Sequence, residues 1–140
     1  MASDVLDFLD RNGLAAFARR LAQTLRPGDA LALSGELGAG KTTLVRALVN
    51  ALHGSDVPVS SPTFVFRQRY DGTPPIEHLD LYRIEDPAEG ADLGLEEAFG
   101  ADRITIVEWP DRLPGLLPPH AIRITIEGAG DEPRRLRIGR

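Results

Sequence analysis

Ala30-Leu31-Ala32-Leu33-Ser34-Gly35-Glu36-Leu37-Gly38-Ala39-Gly40-Lys41-Thr42 is the stretch on which every other reading of this chain turns. Residues 35–42 match the pattern G-x-x-x-x-G-K-[ST] in full. The apolar run Ala30 to Leu33 reads as a buried strand entering the loop. An amphipathic stretch from about Lys41 to Leu52, stopped by Gly54, reads as a helix leaving it. Glycines at 35, 38 and 40 let the backbone turn its N–H groups inward as an anion nest, and the following helix adds its positive end. Lys41 bridges the outer phosphates of a nucleoside triphosphate in such a loop, and Thr42 places a hydroxyl on the accompanying magnesium ion. Lys41 is also the one lysine of the chain, the other cationic side chains being arginines. A compact ammonium on a thin stem fits between two phosphates where a planar guanidinium is too wide.

Upstream, Leu14, Phe17, Leu21 and Leu25 recur at helical spacing, with Asn12 as the expected cap and Pro27-Gly28 as the stop. Downstream, Phe64 to Tyr70 and Ile76 to Leu81 flank Asp71-Gly72-Thr73-Pro74-Pro75 and predict a hairpin at the sheet edge. Glu85 to Asp102 is acidic, with a short helix expected around Leu95 to Phe99. Ile104 to Val107 is the clearest interior strand, and Ile122 to Ile126 with Leu136 to Ile138 predicts a second antiparallel pair. The cluster Arg134, Arg135, Arg137 and Arg140 reads first as an edge strand guarded by charge, and second as a contact to phosphates or a partner. The expected architecture is α/β: a P-loop NTPase-like mixed sheet with flanking helices, one domain over residues 1–140, its ligand site beyond the carboxyl ends of the strands.

Two carboxylates fall where such a site needs them. Glu108 follows the strand Ile104 to Val107, so it emerges beside the phosphate loop, where a carboxylate holds magnesium or orients the attacking water. Asp80 ends Ile76-Glu77-His78-Leu79 in the same way and competes for the metal role. Trp109, the one tryptophan, is read either as core or rim or as a ring stacked near a nucleotide or partner. His78 reads as structural ahead of catalytic. Ser60-Ser61-Pro62-Thr63-Phe64 lies where nucleotide hydrolases carry a segment that senses the outer phosphate, though alone it is an ordinary turn sequence.

Composition bounds the rest. With 140 residues the chain buries roughly two thirds of its unfolded surface as one domain. No apolar run approaches the ~20 residues of a membrane span, and Asp4, Asp7 and Asp10 replace the basic start of a secretory signal. The absence of cysteine excludes disulfides and thiolate chemistry, which fits a cytoplasmic protein. A net charge of -5 weighs against direct, strong binding to nucleic acid, which draws on a basic face.

The four motifs in order, the phosphate loop, Ser61-Pro62-Thr63-Phe64, His78-Leu79-Asp80-Leu81-Tyr82-Arg83 and Val107-Glu108-Trp109-Pro110, resemble the TsaE (YjeE) family over about residues 10 to 138. The phosphate loop alone is shared by many enzymes, whereas the combination is specific. The resemblance implies ATP and magnesium as cofactors. It implies contacts from Gly38, Ala39, Gly40, Lys41, Thr42 and Thr43, with Asp80 and Glu108 near the metal, Thr63 in a switch-like segment and Trp109 close to the site. It implies a role in threonylcarbamoyladenosine modification of tRNA exerted on a TsaD and TsaB pair, which transfers the group, so that tRNA is met only through the complex. Gly13 departs from the threonine common in the family at that position. A small metabolite kinase is the rival reading, opposed by the acidic, arginine-free stretch from Ile84 to Ala101, which makes a poor phosphate lid. A GTPase lacks support because its Asn-Lys-x-Asp reader needs a second lysine. Hydrolysis alone is expected to be slow, with Arg83, Arg112 and the 134–137 cluster as candidates for a stabilising arginine, or a partner supplying one.

Overall fold

Among the described residues of the computed structural model, 3–8, 11–54, 59, 66–128, 130 and 132–139, seven strands form one sheet. They are β1 (Ser3–Phe8), β2 (Ala30–Gly35), β3 (Arg67–Tyr70), β4 (Ile76–Asp80), β5 (Ile104–Glu108), β6 (Ile122–Glu127) and β7 (Arg134–Gly139). The helices are α1 (Arg11–Thr24), α2 (Lys41–His53) and the short α3 (Pro87–Ala91). The order across the sheet is β1-β7-β6-β2-β5-β4-β3. The central four strands are parallel, and β3, β7 and β1 add antiparallel pairs at the flanks. This is the expected mixed sheet.

β2 and β5, in the middle of the parallel strands, are largely apolar and buried on both sides because both faces are covered, whereas β6 alternates buried isoleucines with exposed Arg123 and Glu127. Leu31, Leu33, Ile104 and Ile106 bury against Leu14, Phe17 and Leu21 of α1 and Leu44, Val45 and Leu48 of α2. Leu79 and Val107 point the other way, into a second cluster with Leu81, Ile84, Leu95, Ala98 and Leu113. On that second face the fully buried Glu77 is met by Arg67 (2.8 Å) and Arg69 (3.1 Å), so its charge is compensated. No helix among the described residues is long and apolar enough to cross a membrane.

Several expectations are corrected. Arg11 already lies in α1, so Asn12 sits inside the first turn and is not the cap. The acidic stretch holds a helix the periodicity did not reveal: α3 starts because Asp86 accepts the Ala88 N–H at 3.0 Å and Pro87 supplies a preset φ. The short helix expected around Leu95 to Phe99 is present, as a 3-10 helix over Leu95–Ala98. The largest difference is at the basic cluster. β7 is no edge, because β1 pairs along its whole length and the register sets Asp7 opposite Arg135.

Candidate functional site

The loop between β2 and α2 is shaped by two close constraints. At Gly35 a Cβ would lie 2.7 Å from the Ile126 carbonyl oxygen of the neighbouring β6, so the strand can end there only without a side chain. At Gly40, φ of 110° turns the chain into α2, and since glycine offers no capping side chain the first amides of the helix are left for an outside acceptor. Lys41 therefore opens α2 almost fully buried. Its Nζ donates to the carbonyls of Gly35 (2.5 Å) and Glu36 (2.9 Å) and lies 4.3 Å from the centroid of the Trp109 ring. Burial holds this ammonium below the ordinary lysine range, against the opposing pull of the Glu108, Asp80 and Glu36 carboxylates.

The parallel pairing of β4 with β5 sets Asp80 directly beside Glu108, at the carboxyl ends of both strands. Both are nearly buried. Glu108 accepts from the Thr42 hydroxyl at 3.2 Å (Oε1) and 3.3 Å (Oε2), and its Oε2 also accepts from His78 Nε2 at 2.6 Å. Because the carboxylate can only accept, the hydrogen of that bond belongs to Nε2. His78 Nδ1 has no hydrogen-bond partner among the described residues. Asp80 Oδ1 accepts the Tyr82 N–H at 3.0 Å, which fixes the turn out of β4. A cleft of about 280 Å³ results, and Lys41, Thr42, Asp80, Tyr82, Glu108 and Trp109 face it.

Trp109 adopts φ 59° and ψ 53°, a left-handed conformation unusual for a bulky residue. Its backbone N–H donates to Leu33 O (3.2 Å), and its ring packs 5.0 Å from that of Tyr82, with the Arg112 guanidinium 5.8 Å from it. Strain of this kind is held in place only where surrounding contacts over-determine it. Here those contacts aim the indole at Lys41.

Of the residues expected from sequence, Gly38, Gly40, Lys41, Thr42, Thr43, Asp80, Glu108 and Trp109 converge on this cleft. Gly35 and Ala39 lie in the loop behind it, with the Ala39 N–H closing a turn on Glu36 O (3.0 Å). Thr63 lies outside the described residues. Thr43 also lines a second groove of about 350 Å³ between α1 and α2, walled by Leu14, Ala15 and Ala47. Sequence reasoning passed over Tyr82 and undervalued His78. The usable signal for His78 was its place two residues before Asp80 on a strand, which puts both side chains on one face.

A family model described as Threonylcarbamoyl adenosine biosynthesis protein TsaE matches residues 9–136. The chain belongs to the TsaE family. Among TsaE relatives, the tRNA threonylcarbamoyladenosine biosynthesis protein TsaE of Bacillus subtilis (strain 168) is 42% identical over 122 residues, 86% of this chain and 75% of that protein. The protein of the same name from Streptomyces coelicolor is 42% identical over 129 residues, 86% of this chain and 85% of its own length. The crystal structure of Bacillus subtilis YdiB superposes with a TM-score of 0.81 at 32% identity, covering 98% of this chain and 84% of that one. The fold is accordingly the P-loop NTPase-like α/β arrangement, and the chain shares a family named for threonylcarbamoyl adenosine biosynthesis.

Proposed function

We propose that the chain binds ATP with magnesium in the 35–42 loop and hydrolyses it in support of a TsaD and TsaB pair, without transferring the threonylcarbamoyl group itself. The observation that carries this reading is the meeting of Lys41, Thr42, Asp80 and Glu108 in one cleft at the mouth of an uncapped helix. A buried ammonium below its ordinary range gains most from an anion placed against it, and loop amides together with Lys41 suit a polyphosphate better than a lone carboxylate.

Thr42, Asp80 and Glu108 offer the hard oxygen donors magnesium takes, and the ion, when bound, neutralises charge on the phosphate oxygens. Among the described residues no group of three or more His, Cys, Asp or Glu side chains is arranged to hold a metal. Such a site suits magnesium bound jointly with nucleotide phosphates, as that ion commonly is. Glu108, held from one side by Thr42 and from the other by His78, orients the attacking water. The groove reached through Thr43 supplies apolar walls, Leu14 and Ala47, for the base.

Slow turnover by the isolated chain is part of the reading. Arg134 is committed to backbone carbonyls and Arg137 to Glu127 at 2.5 Å, while Arg112 stacks on Tyr82 and Trp109. An arginine supplied by a partner is worth roughly 10³ to 10⁵ in rate at phosphoryl-transfer sites. The test is ATP turnover measured with and without the TsaD and TsaB pair: the reading expects strong stimulation. Transfer of phosphate from ATP to a small hydroxylated metabolite faster than to water would replace it with the kinase reading.

A further inference from the structure

Arg134 opens β7, and its guanidinium reaches across to the phosphate loop, 95 residues earlier in the chain. Nε donates to the Ala39 carbonyl at 2.9 Å, and Nη2 donates to the carbonyls of Gly38 at 3.2 Å and Gly130 at 3.0 Å. Nη1 donates to the carbonyl of Glu132. Every one of these acceptors is a backbone oxygen. One planar fork of donors thus ties two consecutive loop peptides to the turn that joins β6 to β7.

We propose that Arg134 is a positioning residue that pre-forms the phosphate-binding nest by holding the Gly38 and Ala39 carbonyls on the far side of the loop from the cleft. The C=O and N–H of a peptide unit point in opposite directions. Drawing the Ala39 carbonyl toward β7 therefore turns the Gly40 N–H away from β7, to the side where Lys41 and Thr42 face the cleft. Drawing the Gly38 carbonyl the same way fixes the peptide whose Ala39 N–H closes the turn on Glu36. Glycines at 38 and 40 leave these peptides free to rotate, so a loop of this sequence needs an outside constraint if its amides are to converge before the ligand arrives. A lysine cannot substitute, because a single ammonium has neither the span nor the planar geometry to reach carbonyls on two segments at once. The role also removes Arg134 from the candidates for stabilising the transferring phosphoryl group.

This inference rests on the nucleotide-binding reading only for its choice of probe. Magnesium-ADP is titrated into the full chain, its Arg134→Gln and Arg134→Lys variants, and amide hydrogen exchange is followed by NMR at Ala39 and Gly40. Loss of one charge-assisted bond corresponds to about a tenfold change in affinity. ADP affinity should fall by at least about tenfold in both variants, Ala39 and Gly40 should exchange faster, and exchange in the core strands β2 and β5 should stay as in the parent. If the parent binds ADP and Arg134→Gln binds it equally well, the proposal fails and the nucleotide reading stands. Normal ADP affinity in Arg134→Lys would show that charge alone suffices and would also overturn it. Unchanged affinity with slowed hydrolysis would instead make Arg134 a contact to the transferring phosphoryl group. If the parent chain does not bind ADP, the nucleotide reading fails first.

Discussion

His78 carries the most informative single bond in the site, 2.6 Å from Nε2 to Glu108 Oε2 in a fully buried environment. Among the described residues the other hydrogen-bond partner of the Glu108 carboxylate is the Thr42 hydroxyl, at the longer distances of 3.2 and 3.3 Å. Where a carboxylate holds a metal, the role proposed for Glu108, removing the side chain that orients it costs about ten- to a hundredfold in activity or metal affinity. His78→Leu should accordingly lower kcat for ATP hydrolysis by about that factor while leaving ADP affinity close to the parent value. His78→Gln, which keeps a donor, should recover part of the loss. Equal loss in both variants, or a loss confined to folding stability, would return His78 to a merely structural role.

At the scale of elements, the end of β2 is where stability and function meet. Gly35 pairs with Ile126 of β6, and a Cβ there would sit 2.7 Å from a backbone oxygen that cannot move without breaking the ladder. Gly35→Ala should therefore cost about 1–3 kcal/mol, the usual penalty for forcing extra volume into a well-packed place, and chemical denaturation measures it directly. A cost near zero would mean that β2 and β6 part easily. This loop, with β2, α2, the β3–β4 hairpin and β5, was legible in the sequence because each is announced locally by glycines, helical spacing or an apolar run. β1 was not. Ser3-Asp4-Val5-Leu6-Asp7-Phe8 carries no clean alternation, and it becomes a strand because β7, at the other end of the chain, offers it a partner. α3 was missed because a five-residue helix set by Asp86 and Pro87 leaves no periodicity to detect. The two carboxylates were legible because each stands at the end of a segment read as a strand; the Arg134 contact was not, since nothing local links a residue of β7 to the loop before α2.

Across the whole molecule, the sheet order brings separate segments to one point. β2 sits between β5 and β6, and β4 lies beyond β5, so the phosphate loop, Glu108 and Asp80 all leave the same edge of the parallel strands. The net charge of -5 weighs against direct, strong binding to nucleic acid, which fits the proposed action through a protein pair. Central to the account is a polyphosphate gathered by Lys41 and the loop amides, and calorimetric titration with magnesium and a non-hydrolysable ATP analogue tests it most directly. The account predicts binding of one nucleotide per chain, weakened at least about tenfold by Lys41→Ala, through loss of charge-assisted bonds worth roughly 1.5 to 3 kcal/mol each. No binding by the parent chain, or binding that Lys41→Ala leaves unchanged, would contradict it.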